Sequence, residues 1–350
     1  MQINDYNYLS KLLHKIVLGN NSILNSSFDL ENLVFGSNLN LEKVQNNGHV
    51  FISGLARSGT TILLRYLYDT NKFASSTYND MPFILSPNLW SKINRVKISS
   101  NYKYASQNPK IKVNINSPEA FEEVFWKLFS GKSYSSNKHL NISNYDNEII
   151  KKYEKFINLI LYRYNKNFYI SKNNNNILRL NYIKMIFPNS LIIVPYRDPM
   201  QQAFSLLNQH KFFTNLNKQN KFSKYYMDYL GHYEFGENHK SFNLPMDFLS
   251  NHNYEENTFL IDYWLVQWGK VYSYLLKLNK KKNLNIFFIE YEKLCNDPNY
   301  YLENIFNKID IKNNNLSNLT LEKAEKINVD TNDRKLREII YSIYNELKKI

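Results

Sequence analysis

The chain has 350 residues and carries 44 Lys and Arg against 31 Asp and Glu, a formal charge of +13. Its 43% hydrophobic and 15% aromatic content excludes wholesale disorder. Its one cysteine excludes an intrachain disulfide, a Cys-built zinc site and a Cys-held iron–sulfur cluster, and fits a reducing compartment. About fifty asparagines and many lysines look like drift toward AT-rich codons, so the charge alone names no partner.

The first predicted element is a helix. Leu9, Leu12, Leu13, Ile16 and Val17 recur at helical spacing. Lys11, His14 and Lys15 interrupt that run, so no export signal is expected. A packing helix or a membrane-surface anchor would both fit. No stretch reaches the ~18 apolar residues of a membrane span. A soluble, cytoplasmic protein is the expectation.

Residues 49–53 then read as a strand and 60–67 as a helix, with a tight loop between. A short strand is expected at 73–76, helices at 118–129 and 147–164, and a loop at 130–144. The polar tract 173–176 is expected to cap a helix at 177–187 that stops at Pro188. A buried strand follows at 190–195, and Pro199 opens a helix at 200–213. Residues 214–254 show no period and read as an insertion or lid. A long amphipathic helix is predicted at 256–278. The third strand–helix unit runs from 284 to about 306. A loop at 313–315 and a basic helix at 334–349 complete the chain. Strands alternating with helices predict an α/β fold with a P-loop-like central parallel sheet flanked by helices, with helical or irregular insertions. One domain is expected over 1–350, with a helical extension at 1–48 and a helical segment at 310–350.

Two motifs carry chemistry. In Gly54-Leu55-Ala56-Arg57-Ser58-Gly59-Thr60-Thr61, between strand and helix, backbone N–H groups converge on an anion at a helix N-terminus. Arg57 adds a fork of donors, and Thr60 and Thr61 add hydroxyls. A Walker A loop would have Lys at 60, so a P-loop kinase or NTPase is the weaker alternative. In Tyr196-Arg197-Asp198-Pro199, a strand delivers Arg197 to the carboxyl edge of the sheet, where ligands of open α/β sheets bind. Ser205 lies two helical turns on.

With these two elements in this order, the chain resembles PAPS-dependent sulfotransferases (PAPS is 3′-phosphoadenosine 5′-phosphosulfate). The segment Tyr291-Glu292-Lys293-Leu294 with Asp297-Pro298 is similar to the family's Y-E-x-L…P stretch. The stretches from Ser205 to Phe213 and from His232 to Gly236 are similar to those of bacterial members. The likeness covers about 49–308. It implies that Arg57, Ser58, Gly59, Thr60 and Thr61 hold the 5′-phosphosulfate, and that Arg197 and Ser205 hold the 3′-phosphate. It implies PAPS as co-substrate, PAP as product and no metal. The family's late K-G-x-x-G-x-W-K loop has no counterpart; Arg334, Lys335 and Arg337 form the nearest basic cluster. The acceptor would be a glycan or small molecule.

Transfer to a hydroxyl or amine needs a cation at the leaving oxygen and a base for the proton. Arg57 is the expected cation. Asp80 is the leading base, since it follows the first strand–helix unit and a short strand. His210, one turn past Ser205, is second. His232, Glu234 and Lys172 are further candidates for the acceptor side. Nucleic-acid binding is a third reading, resting on charge alone; the scattered positives and missing motifs argue against it. Cys295 falls in the Y-E-x-L helix, away from both phosphate elements.

Overall fold

Five short strands share one parallel sheet: β1 (Val50–Ile52), β2 (Phe73–Ala74), β3 (Phe168–Lys172), β4 (Leu191–Tyr196) and β5 (Phe287–Glu290). Their spatial order is β2-β3-β1-β4-β5. The computed structural model describes residues 7–38, 41–94, 103–105, 108–249, 256–282, 284–311, 321 and 325–350. The helices that matter below are α1 (Tyr8–Leu18), α2 (Asn21–Phe35), α3 (Thr60–Asp69), α4 (Asn147–Tyr164), α5 (Pro199–Gln219), α6 (Lys221–Tyr229), α7 (Ile261–Lys282) and α8 (Arg334–Leu347).

Both faces of the sheet are covered, so β1 and β4 are buried along their whole length. This is why they read as unbroken apolar runs. Alternate residues of these strands serve different clusters. Val50, Ile52, Leu191 and Ile193 pack with Leu63, Leu64 and Leu67 of α3. Phe51, Ile192 and Val194 join a larger core with Trp264 and Trp268 of α7. The period of two therefore survives inside the apolar runs as a choice between two cores.

Register sets which residues meet at the carboxyl edge. Ile52 of β1 lies beside Lys172 of β3, and Tyr196 of β4 beside Glu290 of β5. The Asn173 amide donates to Ile52 O, and Ser53 N donates to Ile193 O, so the ladder continues to the mouth of the loop.

The predicted α/β sheet and its three strand–helix units are present. Five local expectations change. The helix at 118–129 shortens to Glu123–Phe129, because the backbone just before it pairs with the segment after β2: Glu119 N donates to Ser76 O, and Thr77 bridges Pro118. The expected loop at 130–144 holds a strand, His139–Asn141, parallel to Ser241–Asn243. Its partner lies in the segment read as a lid, where α5 also runs on to Gln219 and α6 follows. The long helix begins at Ile261 rather than 256. The tract 173–176 leads into a buried 3-10 turn, Asn174–Leu178, which Asn173 caps, and the helix expected from 177 begins at Leu180. The amides of the tract donate to Glu122, Glu123, Glu234 and the Gly231 carbonyl. These asparagines are structural, whatever their codon origin. The loop predicted at 313–315 lies outside the described residues.

Candidate functional site

The loop between β1 and α3 holds three residues at positive φ: Gly54, Arg57 and Gly59. Arg57 holds φ at +68°, a left-handed conformation that costs a non-glycine residue about 1–2 kcal/mol. Gly59, at φ +95°, occupies the N-cap of α3 and provides no side-chain cap. The first N–H groups of α3 thus have no capping side chain, and they carry the positive end of the helix dipole. The other helix at this edge differs: α5 is capped by Asp198, whose carboxylate accepts from Gln201 N at 3.0 Å. Anion capacity at the edge therefore belongs to α3.

Side chains from three elements fix the loop. Gln202 donates to Ala56 O at 2.9 Å and accepts from the Trp268 indole at 3.0 Å. The Ser58 hydroxyl donates to Leu55 O at 2.9 Å and is wholly buried. With its hydroxyl committed there, Ser58 has its backbone amide left to offer a ligand. Tyr291, the first residue after β5, packs closely against Gly59. A Cβ there would stand 2.7 Å from the Tyr291 ring. Gly59→Ala is expected to cost about 2 kcal/mol of stability and to distort the loop, from this clash and the positive φ. Thermal melting and PAP titration of the variant check this.

Arg57, Arg197 and Ser205 come together. Arg57 Nε donates to Ser205 Oγ at 3.0 Å. Burial pushes the Arg57 pKa down, and the nearby Arg197 charge pushes it further, against the opposing effect of Tyr291. Both guanidiniums remain cationic, so two like charges share a poorly hydrated site. Arg197 stacks over the Tyr291 ring, 5.2 Å from its centroid. Its Nε is a buried donor with no hydrogen-bond partner; the Glu292 carboxylate lies 3.6 Å away. The residues assigned to two phosphates thus form one continuous patch.

The expected bases do not open onto this patch. Asp80 is 2% exposed. Its Oδ2 accepts from Thr77 N at 2.8 Å and from the Tyr164 hydroxyl at 2.6 Å, closing a capping box. Burial raises its pKa, against those hydrogen bonds and Arg163. A carboxyl so enclosed anchors the segment after β2 and is poorly placed to take a proton from an acceptor. His210 is also buried, among Phe259, Trp264 and His239. Its Nδ1 accepts from Gly236 N at 3.3 Å, and burial lowers its pKa to about 4. It packs the core.

A polar group on the β2–β3 side of the edge joins the candidate Lys172 to a residue missed in the sequence, Glu119. Lys172 ends β3, and its Nζ is 3.9 Å from Glu119 Oε1. The Glu119 side chain retains 19% of its exposure. Burial acts to raise its pKa, but Lys172, His232, the Ala120 amide and Arg65 outweigh it, and the net shift is downward. His232 Nε2 meets Ala120 O at 3.0 Å, and Glu234 accepts from Asn174 at 2.9 Å. Glu119 sits in a segment read as helix, far in sequence from every motif. Only its long-range pairing to Ser76 brings it here. Arg334 and Arg337 belong to α8, which docks on the Arg197 corner: Tyr341 donates to Asp198 Oδ2 at 3.1 Å. Among the described residues, no group of three His, Cys, Asp or Glu is placed to hold a metal, and no helix is long and apolar enough to cross a membrane.

Residues 49–243 match the model of the sulfotransferase family. No curated protein matches the chain. Among solved structures, the chain is similar to a sulfotransferase from Mycobacterium tuberculosis, at 11% identity and a TM-score of 0.48, over 96% of this chain and 81% of that one. It is similar to a sulfotransferase from Mycobacterium avium at 14% identity and a TM-score of 0.43, over 87% and 68%. A sulfotransferase domain from the curacin biosynthetic pathway gives 15% and 0.36, over 77% and 75%.

Proposed function

The chain belongs to the sulfotransferase family, whose model matches more than half of it, from 49 to 243; from that premise we propose that it transfers a sulfuryl group from PAPS to a hydroxyl or amine of a glycan or small molecule. The observation that carries this reading is the pair of arginines. Arg57 and Arg197 meet beside an open helix N-terminus, and Arg197 holds a buried donor without a partner. Two neighbouring cations in a poorly hydrated site, with one long ion pair from Arg197 to Glu292 between them, favour a multiply charged anion over water. A nucleotide with phosphates at both 3′ and 5′ positions meets that demand. Thr60, where a kinase loop carries Lys, leaves Arg57 as the loop's cation.

The carboxyl edge divides the work. On the β1–β4–β5 side, the α3 amides with Thr60 and Thr61, Arg57, Arg197 and Ser205 bind the nucleotide. On the β2–β3 side, Lys172 and Glu119 face the acceptor. Neighbouring strands are ~4.8 Å apart, so the two halves lie within reach of one transferring group. The acceptor oxygen forms a bond to sulfur as the sulfur–oxygen bond to the 5′-phosphate breaks. The leaving phosphate gains charge, which Arg57 and the α3 N-terminus stabilise. The acceptor proton passes to the Glu119 carboxylate, which Lys172 keeps ionised until then.

Two measurements test this. Calorimetry of the full chain with PAP is expected to show micromolar or tighter binding; no binding rejects the reading. Glu119→Gln is expected to keep PAP affinity and lower turnover about 100-fold, the usual scale for losing a general base. Turnover is read as PAP released from PAPS over a panel of sugar, phenol and amine acceptors. Full turnover in that variant moves the base elsewhere.

A further inference from the structure

The hairpin of α1 and α2 turns through Gly19 and Asn20, and its inner face is accounted for. His14, Val17 and Leu18 of α1 are buried, as are Leu24, Phe28, Glu31 and Phe35 of α2. Its outer face is apolar as well. On α1, Tyr8, Leu9, Leu12 and Ile16 are 78%, 72%, 40% and 47% exposed. On α2, Leu30, Leu33 and Val34 are 51%, 81% and 42% exposed. Seven of the nineteen large hydrophobics exposed among the described residues thus fall between positions 8 and 34. Scattered surface apolar residues need no explanation, but this concentration does.

Helical geometry groups them. At 100° per residue, positions 8, 9, 12 and 16 span one arc of about 100°, opposite the buried face. Lys11 and Lys15 border that arc, and α1 carries no acidic residue. Lys11 reaches over the Phe222 ring at 5.5 Å, tying α1 to α6. There Lys221 is exposed and Tyr225 is 54% exposed. Asp29 is the one exposed acid on the described hairpin. The rim is therefore basic along α1 and α6, while α2 carries Asp29 and no cation, in a chain of net charge +13.

We infer that this face docks peripherally on an anionic lipid surface. The apolar arc enters the acyl boundary, and Lys11, Lys15 and Lys221 meet the headgroups. A second copy of the chain fits less well. A twofold contact through α1 sets Lys11 and Lys15 against their own copies with no acid to pair with. A lipid surface satisfies the apolar and basic features together. No described helix can cross the bilayer, so the contact is interfacial. The next segment after α6 carries His232 and Glu234, so one short helix joins this face to the acceptor edge. The inference does not depend on the reaction proposed above.

The test is co-sedimentation of the full chain with vesicles of phosphatidylcholine alone and with about one third phosphatidylglycerol. Binding is expected on the anionic vesicles and little on the neutral ones. Leu9→Glu with Leu33→Glu is expected to weaken it more than about tenfold at an unchanged melting temperature, since both side chains face solvent. Lys15→Glu is expected to weaken it several-fold, in keeping with one surface charge. Three outcomes overturn the inference: no binding by the wild-type chain, equal binding by the Leu9→Glu/Leu33→Glu variant, or a dimer in solution that this variant abolishes while vesicle binding is absent.

Discussion

Arg197→Ala is expected to weaken PAP binding by about 100-fold, read by calorimetry, while leaving the melting temperature of the free protein unchanged or raised. A charge-assisted hydrogen bond in a buried site contributes about 1.5–3 kcal/mol, and 3 kcal/mol corresponds to roughly 150-fold in affinity. The stability half of the result is the sharper one. Arg197 leaves Nε buried without a hydrogen-bond partner and repels Arg57. Removing it relieves both costs. The ion pair with Glu292, at 3.6 Å, is long and its carboxylate is 41% exposed, so it contributes little to the free protein. A residue that costs stability in the free protein and secures a ligand is a functional residue. Arg197→Lys keeps the charge but loses the fork and the stacking on Tyr291, and is expected to fall between.

Arg57→Ala is expected to lose PAP affinity on the same scale. Here the backbone supplies a control. Ala at φ +68° keeps the strain and Gly removes it. Arg57→Gly should therefore be more stable than Arg57→Ala yet bind PAP as poorly. If Arg57→Ala and Arg197→Ala both bind PAP as the wild type does, the nucleotide site lies elsewhere.

The part of this site that is legible in the sequence is the part built by local chain. The loop 54–61 and the Arg197 corner are each contained in a strand, a turn and a helix, so spacing alone places them. Buried strands β1 and β4 announce themselves as apolar runs. The acceptor side depends on residues distant in sequence, and local patterns mislead there. Asp80 looks like a base because its neighbours suggest an edge position. What decides its role is Tyr164, at the end of α4, which covers it. Glu119 gives no signal, since only the pairing of its backbone with Ser76 and the approach of Lys172 bring it to the proposed acceptor side. His210 carries a helix-face signal, but the rings that enclose it come from α7 and the segment before it. The buried asparagines of 174–176 are hidden by composition. In a chain this rich in Asn, nothing marks the few that are fully enclosed.

Those enclosed histidines support the second large prediction: acid destabilises this protein below about pH 6.5, through imidazoles that the fold holds neutral. His49 is the clearest. Its Nδ1 accepts from Tyr169 N at 3.0 Å, and its Nε2 donates to Val44 O at 2.8 Å. A second proton would sit on Nδ1, facing an N–H that cannot accept it. Burial accordingly lowers its pKa to about 4. His210 and His239, with ring centroids 5.5 Å apart, are each lowered by burial to about 4 as well. The unfolded chain takes these protons near pH 6.5 and the folded chain does not, so stability rises with pH across this window and is lost as pH falls through it. For His49 the full effect between pH 6.5 and 4 is about 3 kcal/mol, or about 1 kcal/mol per pH unit near pH 5.5. Glu31 and Asp80 act in the opposite sense. Burial raises their pKa values, so their contribution is present at low pH and declines as pH rises through the folded-state values. Wild-type unfolding curves therefore report a partial cancellation, and His49 is isolated by a difference. Urea unfolding of wild type and His49→Gln at pH 5 and pH 7 is expected to show a pH slope smaller in the variant by about 1 kcal/mol per unit. NMR titration of the folded wild type should show the His49, His210 and His239 rings still neutral at pH 5.5. Rings titrating near pH 6.5 would mean that these cores admit charge, and the acid sensitivity would then have to come from a carboxylate held below its usual range, as Glu119 is.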